Sequence, residues 1–454
     1  MSEKPTAPLS PVGVFTQGST MRHVLRMTAA GSVGLIAIFA VDFLSLLYVS
    51  RLGDPNLTAA VGYATQVLFF TISINIGLSI AVGATVSRAL GMRDKPAAQR
   101  LAASSLIHVA VVSVLTSILL LIFRRDLLML IGAQGVPLDV ANSFLAITLP
   151  ANILLGLGMA LSGILRGVGD AKRAMYITLL GGLTTAVMDP LLIFGLGLGV
   201  HGAAIATVIS RVVFVSVGLY GAVYVHGLVA RPTRKAVMSD LKPIMAIAVP
   251  AILTNLASPV ALSFSLRIMS QFGEQAVAAF AINDRIAPVA FGVLFALSSA
   301  VGPIMGQNLG ARNFDRVRQT LTDCLVLTGI YSFAVWLVLL LAAPYINALF
   351  GAKGETAELV TFFCTYGVIV WLFLGGLFVA NAAFNNLGFP LLSTAFNWGR
   401  ATLGTIPFVM LGAHYYGPKG AMAGIIVGAA IFGTAAIFTA YYVTGRLAKR
   451  STTT

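Results

Sequence analysis

AAGSVGLIAIFAVDFLSLLYVS, Ala29–Ser50, is a run of apolar and small residues broken by a single acid, Asp42. At 1.5 Å of rise per residue such a run crosses the roughly 30 Å hydrocarbon layer of a bilayer as one helix. Asp42 then lies inside the membrane, about a third of the way from one end. Inserting a carboxylate there costs about 2.5–3.5 kcal/mol or more, which makes the position a functional candidate before anything else is known.

The rest of the 454-residue chain provides the setting. It is 58% hydrophobic and 10% charged, with a mean hydropathy of +0.92, whereas soluble domains carry about 25% charged residues. The apolar runs have helical lengths, which favours a helix bundle over a membrane barrel. The net charge of +14 does not indicate nucleic acid, because the basic residues sit in short clusters between apolar spans and suit a membrane surface. Cys324 and Cys364 fall in apolar stretches with no metal-ligand spacing and are expected to be packing residues.

Twelve spans are predicted, at about 24–50, 57–87, 101–123, 138–165, 172–197, 201–226, 240–270, 275–308, 317–349, 357–387, 390–414 and 418–445. With the N-terminus inside, only Arg51, Arg124, Arg125, Lys353 and Lys419 are outside, and Arg211, Arg267, Arg285 and Arg400 lie within spans; the other twenty of the 29 basic residues are inside. That asymmetry predicts cytoplasmic termini.

The chain also repeats at a spacing of about 219 residues. SRLGD at Ser50–Asp54 is answered by SQFGE at Ser270–Glu274, and RALGMRD at Arg88–Asp94 by QNLGARN at Gln307–Asn313. RGVGD at Arg166–Asp170 aligns with NNLGF at Asn385–Phe389. Six spans per repeat is an even number, so both halves enter from the same side and are related by a pseudo-two-fold axis along the membrane normal. The expectation is an all-α integral membrane protein of two six-helix bundles. Its parts are a disordered cytoplasmic tail (1–23), a first lobe (24–229), a linker (230–241), a second lobe (242–445) and a final tail (446–454).

Four acids fall in spans: Asp42, Asp189, Asp284 and Asp323. Asp323 stands near a helix start, where a carboxylate is at home for ordinary reasons. Asp284 and Arg285 are adjacent, and a structural ion pair and a substrate or gating contact remain alternatives. Asp42 and Asp189 come to similar depth in the outer half of the first bundle, with Pro190 kinking the second of their helices. Thr185 lies one turn from Asp189, and Thr207 descends to a comparable level, so Asp42, Asp189, Thr185 and Thr207 form one predicted polar cluster fit for protons or a sodium ion. The aligned positions of the second half lack these acids. Asn255, Asn381, Asn385 and Trp371 there suit either packing or a cleft for amphiphilic cations.

In their order and spacing, these segments together with MDPLLIFGLGLGVHGAAIAT at Met188–Thr207 resemble the multidrug and toxic compound extrusion (MATE) family over essentially the whole chain. The resemblance extends to its DinF-like branch, whose first-lobe acids match Asp42 and Asp189 and whose cation-site hydroxyl matches Thr207. It implies a secondary antiporter that exports organic cations or other drug-like compounds by alternating access. Coupling would be to proton influx, with sodium at Asp42, Asp189 and Thr207 as the alternative. Thr185 stands where the family's cation site often has asparagine. The expected setting is a bacterial inner membrane, with a monomer working in the lipid bilayer on small-molecule substrates and without nucleic acid or cofactor. A flippase for a lipid-linked precursor is the second reading. An intramembrane enzyme has no support, because the chain has no HExxH, GxSxG or clustered His/Cys set.

Overall fold

A computed structural model describes residues 13–451. The first half runs Thr20–Ser50 (α1), Pro55–Gly91 (α2), Lys95–Leu130 (α3), Gly135–Thr148 (α4), Asn152–Val168 (α5), Ala171–Pro190 (α6) and Gly199–Leu219 (α7). The second runs Arg234–Met269 (α8), Glu274–Gly310 (α9), Phe314–Phe350 (α10), Gly354–Phe362 (α11), Ile369–Leu387 (α12), Pro390–Gly399 (α13) and Ile406–Ser451 (α14). No strand occurs among the described residues.

Ten stretches are long and apolar enough to cross a membrane, and α4 with α5, bent by 55°, supplies an eleventh. The last of the ten, Pro390–Lys449, is two spans, because Gly417 adopts φ 61° directly before Pro418 and breaks it. Twelve crossings result. The fourth was expected to be one helix. It bends because Pro150 follows α4 and cannot donate to the helical ladder.

The repeat is visible in the backbone. Left-handed residues recur in register: Gly53 (φ 80°) with Gly273 (φ 97°), Arg93 (φ 60°) with Arg312 (φ 57°), and Gly169 (φ 99°) with Gly388 (φ 93°). Where the bundles cross, the symmetry is physical contact. A Cβ on Gly91 would lie 2.0 Å from the Gln307 carbonyl oxygen, and one on Gly310 2.2 Å from that of Arg88. Residues 88 and 91 are the repeat counterparts of 307 and 310, so the pseudo-two-fold axis runs through this crossing of α2 and α9.

The cores show how the bundles are joined. On the side carrying both chain ends, Val24, Met27 and Ala171 of the first half share a core with Leu297, Ile304, Leu377 and Val443 of the second. Likewise, Ile244 and Ala248 of α8 pack with Val86, Ile164 and Leu165. Toward the opposite side the cores separate: one contains only first-half residues such as Val67, Leu145 and Val200, the other only second-half residues such as Ile268, Phe291 and Val409. The bundles meet at the terminal side and part at the other, leaving a cleft open away from the chain ends.

Part of the expected disordered tail is folded, and the expected linker is largely helical. Residues 13–23 of the expected tail are ordered, with Phe15 2% exposed and α1 starting at Thr20; residues 1–12 lie outside the described residues. The expected linker is helical from Arg234, because Asp240 is buried and receives Ser104 Oγ at 2.8 Å and the Arg100 guanidinium at 3.3 Å, which fastens the start of α8 to α3. The second tail is helical to Ser451.

Asp170 ties the first bundle together on the terminal side. It caps α6 by accepting from the Arg173 backbone N–H at 3.0 Å, and its other oxygen lies 2.5 Å from Arg173 Nη1 and 2.8 Å from His226 Nε2. Burial alone would raise this carboxyl, but the hydrogen bonds from His226 and Arg173 outweigh it and hold the group well below the usual carboxylate range. A carboxyl lowered by folding stabilises the native state above its unfolded pKa, and that contribution disappears as pH falls through the folded value. Asp170→Ala should therefore lower stability at neutral pH by about 1–2 kcal/mol. Thermal unfolding in detergent would record this as a gap that closes only in strong acid.

Candidate functional site

Close packing of α1 on α6 creates the site. A Cβ on Gly182 would meet Val41 Cγ2 at 3.4 Å and the Ala37 carbonyl oxygen at 3.8 Å, and Gly34 faces Thr178. Small residues at these positions let the two helices approach. Two turns beyond Gly182 stands Asp189, 1% exposed. Ser45 Oγ donates to Asp189 Oδ2 across the helix pair. The other oxygen, Oδ1, is buried without a hydrogen-bond partner among the described residues. Past Asp189, Pro190 offers no N–H, and the chain widens into a π turn, Leu191–Gly195.

Asp42 lies one turn before Ser45 and within electrostatic reach of Asp189. Unlike Asp189 it is exposed. Its direction is set by the helix: Val33, Ile36 and Phe43 form an exposed apolar stripe on α1, and Asp42 projects roughly 140° around the helix from it. Gly31 and Phe39, on the same inward side, face Ala296 and Gly292 of α9. Asp42 thus opens on the space between the bundles, not on lipid, while Asp189 is held behind it by Ser45. The pair is one carboxylate in contact with the cleft and one in the protein interior, the inner one bonded to the Ser45 hydroxyl.

The predicted cluster is assembled only in part. Thr185 Oγ1 donates to the Gly181 carbonyl at 3.3 Å and Thr207 Oγ1 to that of Ala203 at 3.0 Å, so both hydroxyls are turned back on their own helices. Ser45 is the residue the sequence reading missed. Its signal was the i+3 spacing from Asp42, which places both on neighbouring faces of one helix. Arg211, one turn beyond Thr207, is also buried in the first bundle and donates to the Thr148 carbonyl at 2.7 Å.

In the second bundle, Asp284 and Arg285 are exposed on α9, and neither forms an ion pair among the described residues. Asn255 Nδ2 donates to the Ala251 carbonyl at 2.8 Å. Asn381 is buried, its Oδ1 unpartnered among the described residues. Trp371 stacks on Phe291, with ring centroids 4.9 Å apart and planes 5° from parallel. Arg400 is 7% exposed, reaches Ser258 Oγ at 3.3 Å and leaves Nε unpaired among the described residues. Asp323 accepts from Thr20 Oγ1 and from Gln319 Nε2 at 2.8 Å, a fastening between α1 and α10.

A family model described as MatE matches residues 32–191 and 250–411, one match in each bundle. The chain belongs to the MATE family. Among curated relatives it is 28% identical over 437 residues to a FAD transporter of Shewanella oneidensis, covering 94% of each chain. It is 24% identical to a probable multidrug resistance protein, YoeA, of Bacillus subtilis, covering 82% of this chain and 83% of that one. A solved structure of the MATE transporter VcmN from Vibrio cholerae superposes with a TM-score of 0.89 at 24% identity, covering 93% of this chain and 96% of that one. MATE proteins are multidrug efflux transporters of many membrane-spanning helices. This MATE chain is a transporter that takes small molecules through a membrane, not an enzyme.

Proposed function

We propose that this MATE protein is an antiporter that exports cationic or amphiphilic small molecules across a bacterial inner membrane, with its termini in the cytoplasm. Proton influx through Asp42 and Asp189 drives it. The observation that carries this reading is a cleft-facing Asp42 one turn from Ser45, which holds the buried Asp189, in a bundle pair parted on the side away from the chain ends. A proton taken up from the outer side at Asp42 neutralises the carboxylate that faces an organic cation. Protonation of Asp189 as well neutralises the buried carboxylate and favours repacking of α1 against α6. Asp42 and Asp189 both lie in the first bundle, and the positions aligned with them in the second carry no acid, which fits the DinF-like pattern.

Proteoliposomes given a proton gradient or a sodium gradient separately test the coupling: export of a fluorescent organic cation should follow the proton gradient, and export driven by sodium alone would reverse the assignment. Ser45→Ala removes the hydroxyl that holds Asp189. Because a hydrogen bond to a charged group is worth about 1.5–3 kcal/mol, proton-driven export should fall by roughly tenfold or more in the same vesicles, with expression unchanged.

A second reading concerns the cargo. Full-length similarity to a FAD transporter and the buried Arg400 of the second bundle, which has no carboxylate partner among the described residues, favour a phosphate-bearing dinucleotide. Competition between FAD and the organic cation in the same vesicles decides between them. A flippase for a lipid-linked precursor would instead move fluorescent lipid between leaflets.

A further inference from the structure

The segment before α1 is bonded to the second bundle and packed on the first at the side carrying the chain ends. Phe15, 2% exposed, belongs to the core shared by the two halves. On the first bundle its ring covers Gly169, where a Cβ would lie 3.1 Å from Phe15 Cζ. On the second bundle its backbone N–H donates to Gln307 Oε1 at 2.9 Å, and the Gln307 amide in turn donates to the Gly167 carbonyl at 2.7 Å. Arg316 of α10 gathers the carbonyls of the segment: Nη2 donates to Phe15 at 2.8 Å and Nη1 to Gly18 at 2.7 Å. Asn308 Nδ2 donates to the Phe15 carbonyl at 3.2 Å.

These partners surround the α2–α9 crossing, where the bundles touch backbone to backbone. Separating the bundles there would pull Phe15 out of a shared core and part the buried Gln307 amide from the Gly167 carbonyl, leaving a buried polar group with a desolvation cost. A segment of seven residues thus holds shut the side opposite the open cleft. It continues into the protein only through α1, so it can withdraw without unravelling a span.

We propose that Gly13–Ser19 is a latch that locks the terminal side of the two bundles together, with Phe15 as its bolt and Arg316 as its catch, and that its withdrawal is required before that side opens. This rests on the alternating-access reading, but its test needs no transport. Spin labels are placed at Lys172→Cys and Arg318→Cys, positions on the terminal side of each bundle, in a protein whose two buried cysteines are replaced. In lipid vesicles the parent should give one short distance. Phe15→Ala, and independently Arg316→Gln, should add a longer-distance population at least several-fold larger than the parent's.

Deletion of residues 2–18 should add the same population, and a peptide of residues 1–19 supplied in excess should reverse it. Variants that stay monodisperse and lose thermal stability while their distances remain those of the parent would overturn the proposal, since the segment would then be only structural. Failure of the peptide to restore the short distance in the truncated protein would overturn it equally.

Discussion

Asp42→Asn is expected to reduce proton-driven export to the level of empty vesicles while leaving expression and folding unchanged. The second half of that expectation follows from exposure: Asp42 opens on the cleft and has no hydrogen-bond partner among the described residues, so asparagine of nearly equal volume breaks no contact. The first half follows from charge. An elementary charge moving down a ~100 mV potential supplies about 2.3 kcal/mol, equivalent to roughly a 50-fold concentration ratio at 1.4 kcal/mol per factor of ten. Asparagine does not take up and release a proton near neutral pH, so this drive is disconnected from the substrate. Asp284→Asn, exposed in the second bundle, is the matched comparison and should retain most coupled export. Vesicle accumulation of a fluorescent cation, normalised to protein content, measures both.

Gly91→Leu and Gly310→Leu are expected to prevent the terminal side from closing. At 2.0 and 2.2 Å from opposing carbonyl oxygens, even a Cβ cannot be accommodated without moving backbone, and the obstruction is main chain that has no alternative rotamer. Overpacking of this kind costs about 1–3 kcal/mol and more where relief is blocked. The balance between closed and open forms should therefore shift by about 10- to 100-fold. A membrane-impermeant thiol reagent applied to the terminal side should label a cysteine at Ser87, which packs against Gly306 across the crossing, faster by that factor. Gly62→Ala and Gly329→Ala, where a Cβ meets nothing within 4 Å, should leave labelling and export unchanged.

Fold and site were legible in the sequence to different depths. Spans and the repeat could be read because they depend on local properties: apolar length, and the glycines and asparagines of RALGMRD and QNLGARN, segments that recur as left-handed turns. Asp42 and Asp189 could be paired by depth alone, since helix rise converts residue number into height. Rotation is harder to read. Whether Thr185 and Thr207 face the acids or their own backbones depends on how α6 and α7 are turned, which the glycines at their contacts decide. The role of Ser45 likewise exists only once α1 is set against α6.

The tail escapes a sequence reading for a related reason. Three prolines upstream and no apolar run make residues 1–23 look unstructured, and the burial of one phenylalanine depends on partners such as Gln307 and Arg316, 292 and 301 positions away. Nothing local in GVFTQGS signals them.

Exchange of protons for the substrate at Asp42 and Asp189 is the step on which the proposed function rests. Its most direct test is proton release on substrate binding, followed with a pH-sensitive dye in weakly buffered detergent solution as a fluorescent organic cation such as ethidium is added. Wild-type protein is expected to release protons as the cation binds, and the Asp42→Asn/Asp189→Asn protein to release none. Undiminished release from the double variant, or saturable binding to wild type with no release at all, would contradict the account.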